Sequence, residues 1–267
     1  PIQGGLSLLL PVLSFFHLLQ FEAGTSVSLS LFSYELTLIR IDRLALVWGY
    51  IFHLAAFLSA LYALHVKDAL QHVSGAIYAG TAVGAVFAGD LITLFVYWEL
   101  TAISSVFLVW ASRTEASYRS GMRYLLIQVG SGVILLSGVL LHFRDTGSIA
   151  FDHLGIGSAG TLLILLAFGI KCAFPFLHNW LQDAYPQATP TGTVFLSAFT
   201  TKLAVYALAR GFAGTEELVY IGAAMTAFPV FFAVIENDLR RVLAYSLNNQ
   251  LGLSLIHISE PTRRRTI

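Results

Sequence analysis

The sequence has little charge and almost no cysteine. Only 11% of its 267 residues are Asp, Glu, Lys or Arg, less than half the share of an ordinary soluble domain. Fifteen basic and fifteen acidic residues cancel, so no basic surface suggests nucleic-acid binding. The single cysteine excludes a disulfide framework, a cysteine-ligated zinc site and a cysteine-held iron–sulfur cluster. With 57% hydrophobic residues and a mean hydropathy of +0.75, the sequence predicts that most of the chain lies in lipid.

Long apolar runs follow one another along the chain. A hydrocarbon core about 30 Å thick needs roughly 20 apolar residues in a helix. We therefore predict an all-α fold, a polytopic transmembrane helix bundle. The predicted helices cover approximately residues 4–20, 44–65, 73–89, 91–110, 124–141, 159–181, 191–209 and 218–235, and another starts at 242. The long connection 22–42 alternates polar and apolar side chains, which predicts a short extramembrane hairpin.

Both ends of the sequence differ from those of a complete membrane protein. Residue 1 is proline, and the apolar run that starts at 242 gives way to a polar stretch without periodicity. We expect residues 1–253 to form one incomplete transmembrane domain. Residues 254–267 are expected to be a non-native or disordered tail, with an ordinary cytoplasmic tail as the alternative.

Basic residues in the predicted loops indicate the orientation, because cytoplasmic loops carry an excess of Lys and Arg. The loop at 111–123 contains the densest cluster, three arginines, and we predict that it is cytoplasmic. Six basic residues fall on that side, Lys67, Arg113, Arg119, Arg123, Arg240 and Arg241, and four on the other, Arg40, Arg43, Arg144 and Arg210.

Three charged residues lie near the middle of predicted spans: Glu99, Lys171 and Lys202. A charge at the bilayer centre costs from about 2.5 to more than 10 kcal/mol, so each must face the bundle interior, a partner charge or a water-filled cavity. One interpretation is an ion pair between Glu99 and a lysine that only fixes helix packing. The other is a proton pathway, because burial disfavours the ammonium form of lysine and a nearby carboxylate favours it.

The residues after Lys171 predict a broken helix. Pro175 lacks the N–H group that would bond to the carbonyl of Lys171, so the helix should break or kink and free polar backbone groups there. Discontinuous helices build ion sites in many transporters. His178 lies seven residues after Lys171 and would share its face on a nearly straight helix, as a candidate relay residue. A histidine that bonds to a carbonyl is the alternative.

Four motifs occur in order along the chain: Tyr97-Trp98-Glu99-Leu100, residues 171–184 (KCAFPFLHNWLQDA), residues 200–210 (TTKLAVYALAR) and residues 236–246 (ENDLRRVLAYS). With the connecting helices, about residues 36–253, they resemble the proton-conducting membrane-subunit family shared by multisubunit cation/proton antiporters and respiratory complex I. Residues 245–252 and 209–212 look most like the D component of the Mrp-type sodium/proton antiporter. Gln182 stands where the family commonly has proline.

The resemblance implies a fragment that holds the first five-helix repeat of an antiporter-like subunit, residues 73–209. Lys171 would carry the mobile proton and Glu99 would adjust its proton affinity, while His178 and Lys202 would pass protons along the membrane midplane. The implied function is proton translocation in a multisubunit monovalent cation (Na⁺)/proton antiporter.

The same resemblance implies the setting of the protein. It predicts a multi-pass protein of the bacterial cytoplasmic (inner) membrane, with other membrane subunits, H⁺, Na⁺ and the lipid bilayer as partners. No metal, redox cofactor or nucleic acid is implied. The chain would be a transporter subunit rather than an enzyme, unless it forms part of a complex I-like translocase.

Three rival interpretations stay open. A proton-pumping subunit of the M or N type in an NADH:quinone oxidoreductase or related redox-driven complex would use the same residues. A membrane haem protein would use His53 and His178 as axial ligands, and a structural subunit would use none of the buried charges. His53, central in 44–65, is also a possible pathway residue, although a core histidine with satisfied hydrogen bonds is the simpler interpretation.

Overall fold

The chain folds mainly into helices, with one two-stranded hairpin between the first two. The computed structural model describes residues 2–31 and 34–260. The strands are β1 (Ser26–Leu31) and β2 (Tyr34–Arg40). The helices are α1 (Ile2–Leu18), α2 (Arg43–Tyr62), α3 (Ala69–Phe87), α4 (Leu91–Trp110), α5 (Glu115–Thr146), α6 (Ala159–Lys171), α7 (Asn179–Ala184), α8 (Pro190–Gly211), α9 (Glu216–Ile235) and α10 (Leu239–Ser259), with 3-10 turns at Ala63–His65 and Tyr185–Gln187.

The connection 22–42 contains the hairpin that its alternating side chains predict. β1 and β2 pair in antiparallel fashion, with Ser26 opposite Arg40. The Gly89 N–H group, between α3 and α4, donates to the Thr37 carbonyl of β2 at 3.0 Å. The hairpin therefore packs on one end of the helix bundle, which we call the hairpin face.

Polar side chains fix where the helices begin. Asp42, Asp68 and Asp90 each accept a hydrogen bond from a backbone N–H group in the first turn of α2, α3 and α4. Thr114 and Ser158 form capping boxes at the start of α5 and α6. These N–H groups have no partner inside the helix, so the caps matter most where the chain meets apolar surroundings.

The length and composition of the helices make this a multi-pass membrane protein. Each predicted span overlaps an observed helix, and Leu126, Val133 and Leu140 leave one face of α5 exposed, as a lipid-facing surface requires. Five described segments are long and apolar enough to cross a bilayer, Arg43–His65, Leu91–Trp110, Glu115–Thr146, Pro190–Gly211 and Glu216–Ile235, and Gly4–Leu18 and Ala159–Lys171 are shorter apolar helices.

Helix α8 lies at the centre of the bundle, where it packs against α2, α3, α4, α6 and α10. The end of the bundle opposite the hairpin carries residues 111–123, and we call it the loop face. An ion pair of 3.3 Å joins Arg113 to Asp68 there. The Ser112 hydroxyl donates to the Gln187 carbonyl at 2.7 Å. The starts of α3 and α8 therefore lie at the loop face.

The helix predicted over 159–181 is broken, as Pro175 predicts. Helix α6 ends at Lys171, and α7 begins only at Asn179. A proline in the fourth position after Lys171 cannot donate to its carbonyl, so the α-helical bonding stops at this point. The break leaves Lys171 as the last residue of a helix inside the bundle.

Two residues with left-handed backbone turn the chain within the break. Ala173 has φ 61° and Phe176 has φ 68°, a conformation that costs energy for a residue other than glycine. The Trp180 indole N–H donates to the Ile170 carbonyl at 2.9 Å and satisfies one of the carbonyl groups at the end of α6. Side-chain bonding therefore replaces part of the missing helical bonding.

Helix α10 extends past the predicted start of the tail at 254. It continues to Ser259 and packs along α9, with Leu255 fully buried. Residues 254–259 are thus helical rather than disordered, because their apolar side chains pack against α9. Residues 261–267 of the predicted tail lie outside the described residues.

A charged cluster joins α2, α8 and the hairpin at the hairpin face. Arg210 donates to both carboxylate oxygens of Asp42, at 2.6 and 2.9 Å, and to the Tyr206 hydroxyl at 2.8 Å. Arg40 forms ion pairs with Asp42 at 3.6 Å and with Asp152 at 2.8 Å. We call these five residues the Asp42 latch, because they connect segments that are far apart in sequence.

Candidate functional site

Lys171 is buried completely, with 0% of its surface exposed. Its Nζ donates to the Trp98 carbonyl at 2.9 Å and to the Thr101 Oγ1 at 3.0 Å. The same Nζ lies 4.2 Å from the centroid of the Trp98 ring. Two neutral oxygens and an aromatic face therefore bind the amine. When the amine is protonated, a desolvated cation–π contact of this kind contributes about 2 kcal/mol.

The groups that bind Lys171 are themselves fixed by neighbouring helices. The Thr101 hydroxyl donates to the Trp98 carbonyl at 2.7 Å. The Trp98 indole N–H donates to Ser131 Oγ of α5 at 3.0 Å, and its ring lies 5.1 Å from that of Phe168 on α6. Contacts of Trp98 with side chains of α5 and α6 thus set the position of both acceptors.

Glu99 follows Trp98 on α4 and directs its carboxylate toward α5. Its Oε1 is buried and has no hydrogen-bond partner in the described part of the chain. The carboxylate lies against Gly132, where a Cβ atom would overlap Oε1. The absence of a side chain at Gly132 therefore provides the space that the carboxylate occupies.

Glu99 and Lys171 interact electrostatically without touching. None of the ion pairs between described residues joins the two. Each nevertheless lies within the electrostatic reach of the other. An ion pair that only fixes helix packing would need direct contact, so the geometry disfavours that interpretation.

Lys202 on α8 is the second lysine inside the bundle. It interacts electrostatically with Cys172, the buried residue that follows Lys171. Among the described residues it has neither a hydrogen bond nor an ion pair. The neighbouring Thr201 hydroxyl is also buried without a partner in that part of the chain. Cys172 thus lies next to Lys171 in sequence and near Lys202 in space.

His178 is the N-cap residue of α7. The chain from 172 to 178 is not helical, so the helical spacing that would put His178 on the face of Lys171 does not apply. Its ring packs against Phe228 of α9, with centroids 5.7 Å apart. Its Nδ1 is buried and unpartnered among the described residues, and no described bond joins it to either lysine.

His53 has a partner for both ring nitrogens. Its Nδ1 lies 2.7 Å from the Gly49 carbonyl, and its Nε2 lies 2.8 Å from the Ser14 hydroxyl. The carbonyl can only accept, so Nδ1 carries the hydrogen and Nε2 accepts from Ser14. The residue lines a cavity of about 280 Å³ between α1, α2, α3 and Phe195. This arrangement favours a structural core histidine.

Known proteins share both the sequence and the fold. Residues 88–264 match the family described as NADH:quinone oxidoreductase/Mrp antiporter, TM. The chain belongs to this family. It is also 31% identical over 245 residues, 83% of its length, to the probable K(+)/H(+) antiporter A/B protein of Rhizobium meliloti (strain 1021).

Relatives in this antiporter family come from transporters and from redox complexes. Hydrogenase-4 component B of Escherichia coli (strain K12) is 26% identical over 84% of the chain, and NADH-ubiquinone oxidoreductase chain 5 of Chlamydomonas reinhardtii is 32% identical over 65%. The chain covers 24%, 37% and 33% of the Rhizobium, Escherichia and Chlamydomonas proteins. It thus spans about a quarter to a third of the length of these curated relatives.

Solved structures of antiporter-family complexes have the same fold. The Mrp complex from Dietzia sp. DQ12-45-1b matches with a TM-score of 0.79 and 24% identity, over 96% of this chain and 52% of that one. Respiratory complex I from Thermus thermophilus matches with a TM-score of 0.78 and 20% identity, over 94% and 57%. The Rhizobium relative is of the A/B type, so the assignment to the D component stays a prediction.

The sequence analysis did not predict several residues of the site. Trp98 acts through its backbone carbonyl, and Gly132 acts through the side chain that it lacks, so neither gives a pattern in the sequence. Gln128 lies one turn before Gly132 and is fully buried. Both polar atoms of its side-chain amide lack a partner among the described residues. Its position inside a predicted span could have identified it from the sequence. Thr101 was detectable only by its spacing from Trp98. In the described part of the chain, no cluster of His, Cys, Asp and Glu could hold a metal ion.

Proposed function

We propose that this chain is part of a proton-translocating subunit of a multisubunit monovalent cation (Na⁺)/proton antiporter. The observation that carries the proposal is the environment of Lys171. Its amine is fully buried and bonded only to neutral oxygens, and the half-buried carboxylate of Glu99 lies nearby without direct contact. A purely structural lysine would be expected to have an acidic partner.

The geometry suits an amine that gains and loses a proton. A neutral amine has two N–H groups, and two acceptors are in place, Trp98 O and Thr101 Oγ1. The protonated amine adds a third N–H, which favours a nearby negative charge. Movement of Glu99, or a change in its charge, would therefore shift the balance between the two forms. In this mechanism Lys171 carries the mobile proton, and Glu99 adjusts its proton affinity.

Two further residues would continue the pathway along the membrane midplane. His178 supports this role by its buried, unpartnered Nδ1. Lys202 supports it by its position near Cys172 without an ion pair in the described chain. Residues 73–209, which contain α4 to α7 and most of α3 and α8, would form the first five-helix repeat of the longer subunit.

The proposed setting is the bacterial cytoplasmic membrane, with other membrane subunits as partners and loop 111–123 in the cytoplasm. Relatives named as parts of antiporters support the partners. Within residues 2–31 and 34–260, six basic residues at the loop face against four at the hairpin face support the orientation. A cysteine placed at Ala116 in a Cys172→Ser background should react with an impermeant thiol reagent in everted vesicles but not in intact cells. The reverse pattern would contradict the orientation.

A proton-pumping subunit of a redox-driven complex is the second candidate function. It is favoured by the relatives named as NADH-ubiquinone oxidoreductase chain 5 and hydrogenase-4 component B. The same buried residues would then respond to electron transfer in partner subunits. The two candidates differ in their response to an added cation.

The test uses the full-length parent protein expressed with its neighbouring subunits in everted membrane vesicles. A pH gradient is energised, Na⁺ or K⁺ is added, and a fluorescent dye reports the collapse of the gradient. We expect rapid cation-dependent collapse that is lost in Lys171→Ala. A parent that responds to neither cation would refute the antiporter and favour the redox-driven pump. A response that survives in Lys171→Ala would refute the role of Lys171.

A further inference from the structure

Five buried hydroxyl groups meet between the lysine site and the loop face. Their side chains belong to Tyr78 of α3, Ser105 of α4, Tyr124 of α5, Tyr185 of the turn before α8, and Thr200 of α8. None is more than 2% exposed. We call these five residues the hydroxyl cluster. Tyrosine hydroxyls are costly to bury, so a convergence of three in one place needs an explanation.

The hydrogens in the hydroxyl cluster can all point in one direction. The Thr200 N–H group donates to the Tyr78 hydroxyl at 2.8 Å. Tyr78 can in turn donate to the Thr200 hydroxyl, with which it bonds, or to the Leu196 carbonyl at 3.5 Å. Ser105 donates to the Ala102 carbonyl at 2.9 Å, so Tyr124, at 2.8 Å, donates to Ser105. The Tyr124 hydroxyl lies near that of Thr200, but no hydrogen bond between described atoms joins the two. One donor pair, Tyr78 to Thr200, therefore adjoins a second, Tyr124 to Ser105, and a proton would cross between them by a small rotation of the hydroxyls or through one water molecule.

One end of the hydroxyl cluster lies close to Lys171. Helix α4 runs from the hairpin face to the loop face, and Ser105 lies one helical turn after Thr101, which accepts from Lys171 Nζ. Residues four apart on a helix are neighbours on its surface, about 5–6 Å apart, and one water molecule bridges such a gap. Thr200 is adjacent to Thr201, whose buried hydroxyl has no partner among the described residues, and two residues from Lys202.

The other end reaches a cavity at the loop face that has both polar and apolar lining residues. Tyr185 donates to the Leu196 carbonyl at 2.9 Å, and the Tyr78 hydroxyl lies 3.5 Å from the same carbonyl. It also lines a cavity of about 400 Å³ between α8 and α10, together with Thr193, Ser197, Arg240, Ser246 and Gln250. Helices α8 and α10 both begin at this end of the bundle, so the cavity lies between the loop face and the hydroxyl cluster.

We propose that the hydroxyl cluster conducts protons between this cavity and the lysines in the middle of the membrane. The inference rests on the proposed function. Each hydroxyl accepts a proton on a free lone pair and releases its own to the next oxygen, so one O–H bond forms for each that breaks. At the end of the chain Ser105 turns its hydrogen from the Ala102 carbonyl to a bridging water molecule, which passes a proton to the neutral amine of Lys171. Every hydroxyl then returns to its neutral form. Tyr124 and Thr200 are the required members, because the chain passes through both.

Variants of the full-length parent in its complex test the hydroxyl cluster. Tyr124→Phe and Thr200→Val remove a hydroxyl and keep the volume, and Thr200→Ser keeps the hydroxyl. We expect the first two to slow cation-dependent proton movement about tenfold or more and to increase the ratio of rates in H₂O and D₂O. Thr200→Ser should retain the rate. The matched control is Tyr206→Phe, which removes a buried tyrosine hydroxyl that bonds to Val86 and Arg210 outside the cluster.

The outcomes separate this inference from the proposed function. If Lys171→Ala abolishes transport while Tyr124→Phe and Thr200→Val keep the parent's rate and isotope ratio, the relay is wrong and the proposed function stands. The relay is also wrong if both variants merely match Tyr206→Phe. A parent that moves no protons in response to a cation, or a Lys171→Ala variant with full activity, would overturn both.

Discussion

The Asp42 latch and the Lys171 site deal with buried positive charge in opposite ways. In the latch, Arg210 bonds to both oxygens of Asp42 and to Tyr206, so its charge has a direct acidic partner. At the mid-membrane site, Lys171 bonds only to neutral oxygens, and the Glu99 carboxylate stays out of contact. The first arrangement suits a permanent positive charge, and the second suits an amine that gains and loses a proton.

Residue type follows the same division. The guanidinium of Arg210 cannot lose its proton in a protein, so an ion pair is the most effective way to bury it. The amine of Lys171 can be buried in its neutral form. The absence of a direct acidic partner, rather than burial itself, therefore distinguishes the site to which we assign proton transfer.

Exchanging the two basic residue types should have the largest effect. In Lys171→Arg the charge remains and the exchangeable proton is lost, so we expect cation-dependent proton movement to fall about a hundredfold or more. Arg210→Lys is the reciprocal change. It loses part of the bidentate contact with Asp42 but should keep most of the transport activity, because the latch lies outside the proposed proton pathway. Vesicle assays normalised to the amount of assembled complex measure both. An equal loss of cation-dependent proton movement in the two variants would contradict the proposed difference between the Asp42 latch and the Lys171 site.

Displacing the Glu99 carboxylate should have the next largest effect. A methyl group in Gly132→Ala would overlap Glu99 Oε1, so the carboxylate must move relative to Lys171. We expect about a tenfold lower transport rate, comparable to that of Glu99→Gln. Gly130→Ala, on the same helix, is the matched control, because nothing described lies within 4 Å of its added Cβ. The role of Glu99 is refuted if Gly132→Ala and Glu99→Gln transport as fast as the control.

Breaking the latch should affect stability and leave transport intact. Asp42→Asn leaves Arg210, whose side chain is 7% exposed, without its charged partner. Because Asp42 is partly open to solvent, we expect a loss of about 2 kcal/mol rather than the full cost of an orphaned buried charge. Thermal unfolding of the purified complex measures it. Asp145→Asn, which removes an exposed pair with Arg144, should change stability by less than about 0.5 kcal/mol.

The smallest effect concerns the acid sensitivity of the latch. Burial raises the pKa of Asp42, but the hydrogen bonds from Arg210 and Ala45 and the charges of Arg210 and Arg40 outweigh it and hold the pKa below its ordinary value. The latch therefore stabilises the fold fully above the unfolded pKa of about 3.9, and this stabilisation is lost as the pH falls through the lower folded-state pKa. The melting difference between the parent and Asp42→Asn should be constant near neutral pH and shrink below about pH 4. A difference that shrinks near neutral pH would contradict this origin.

Sequence patterns predicted those features that depend on local chemistry. The apolar runs located the helices, the alternation of 22–42 located the hairpin, and Pro175 located the break. Mid-span charge singled out Glu99, Lys171 and Lys202, and the structure places all three in or near one region of the bundle. Each of these signals lies within a few residues of the feature that it predicts.

Features that depend on contact between helices were not predictable in the same way. The separation of Glu99 from Lys171 depends on how α4, α5 and α6 pack, and the space at Gly132 depends on the rotation of α5. The meeting of Tyr78, Tyr124 and Thr200 joins three helices that are remote in sequence. Periodicity gives the face of a helix and not its rotation against a neighbour.

The break after Lys171 has an electrostatic consequence of its own. Aligned peptide dipoles leave a partial negative charge of about half an electron at the C-terminal end of a helix. Lys171 is in the last turn of α6, where a positively charged side chain is favoured by the helix dipole. A continuous helix would move that partial charge away to a distant end. The interruption of α6 therefore favours a positive charge on Lys171 through backbone carbonyl groups, which cannot titrate.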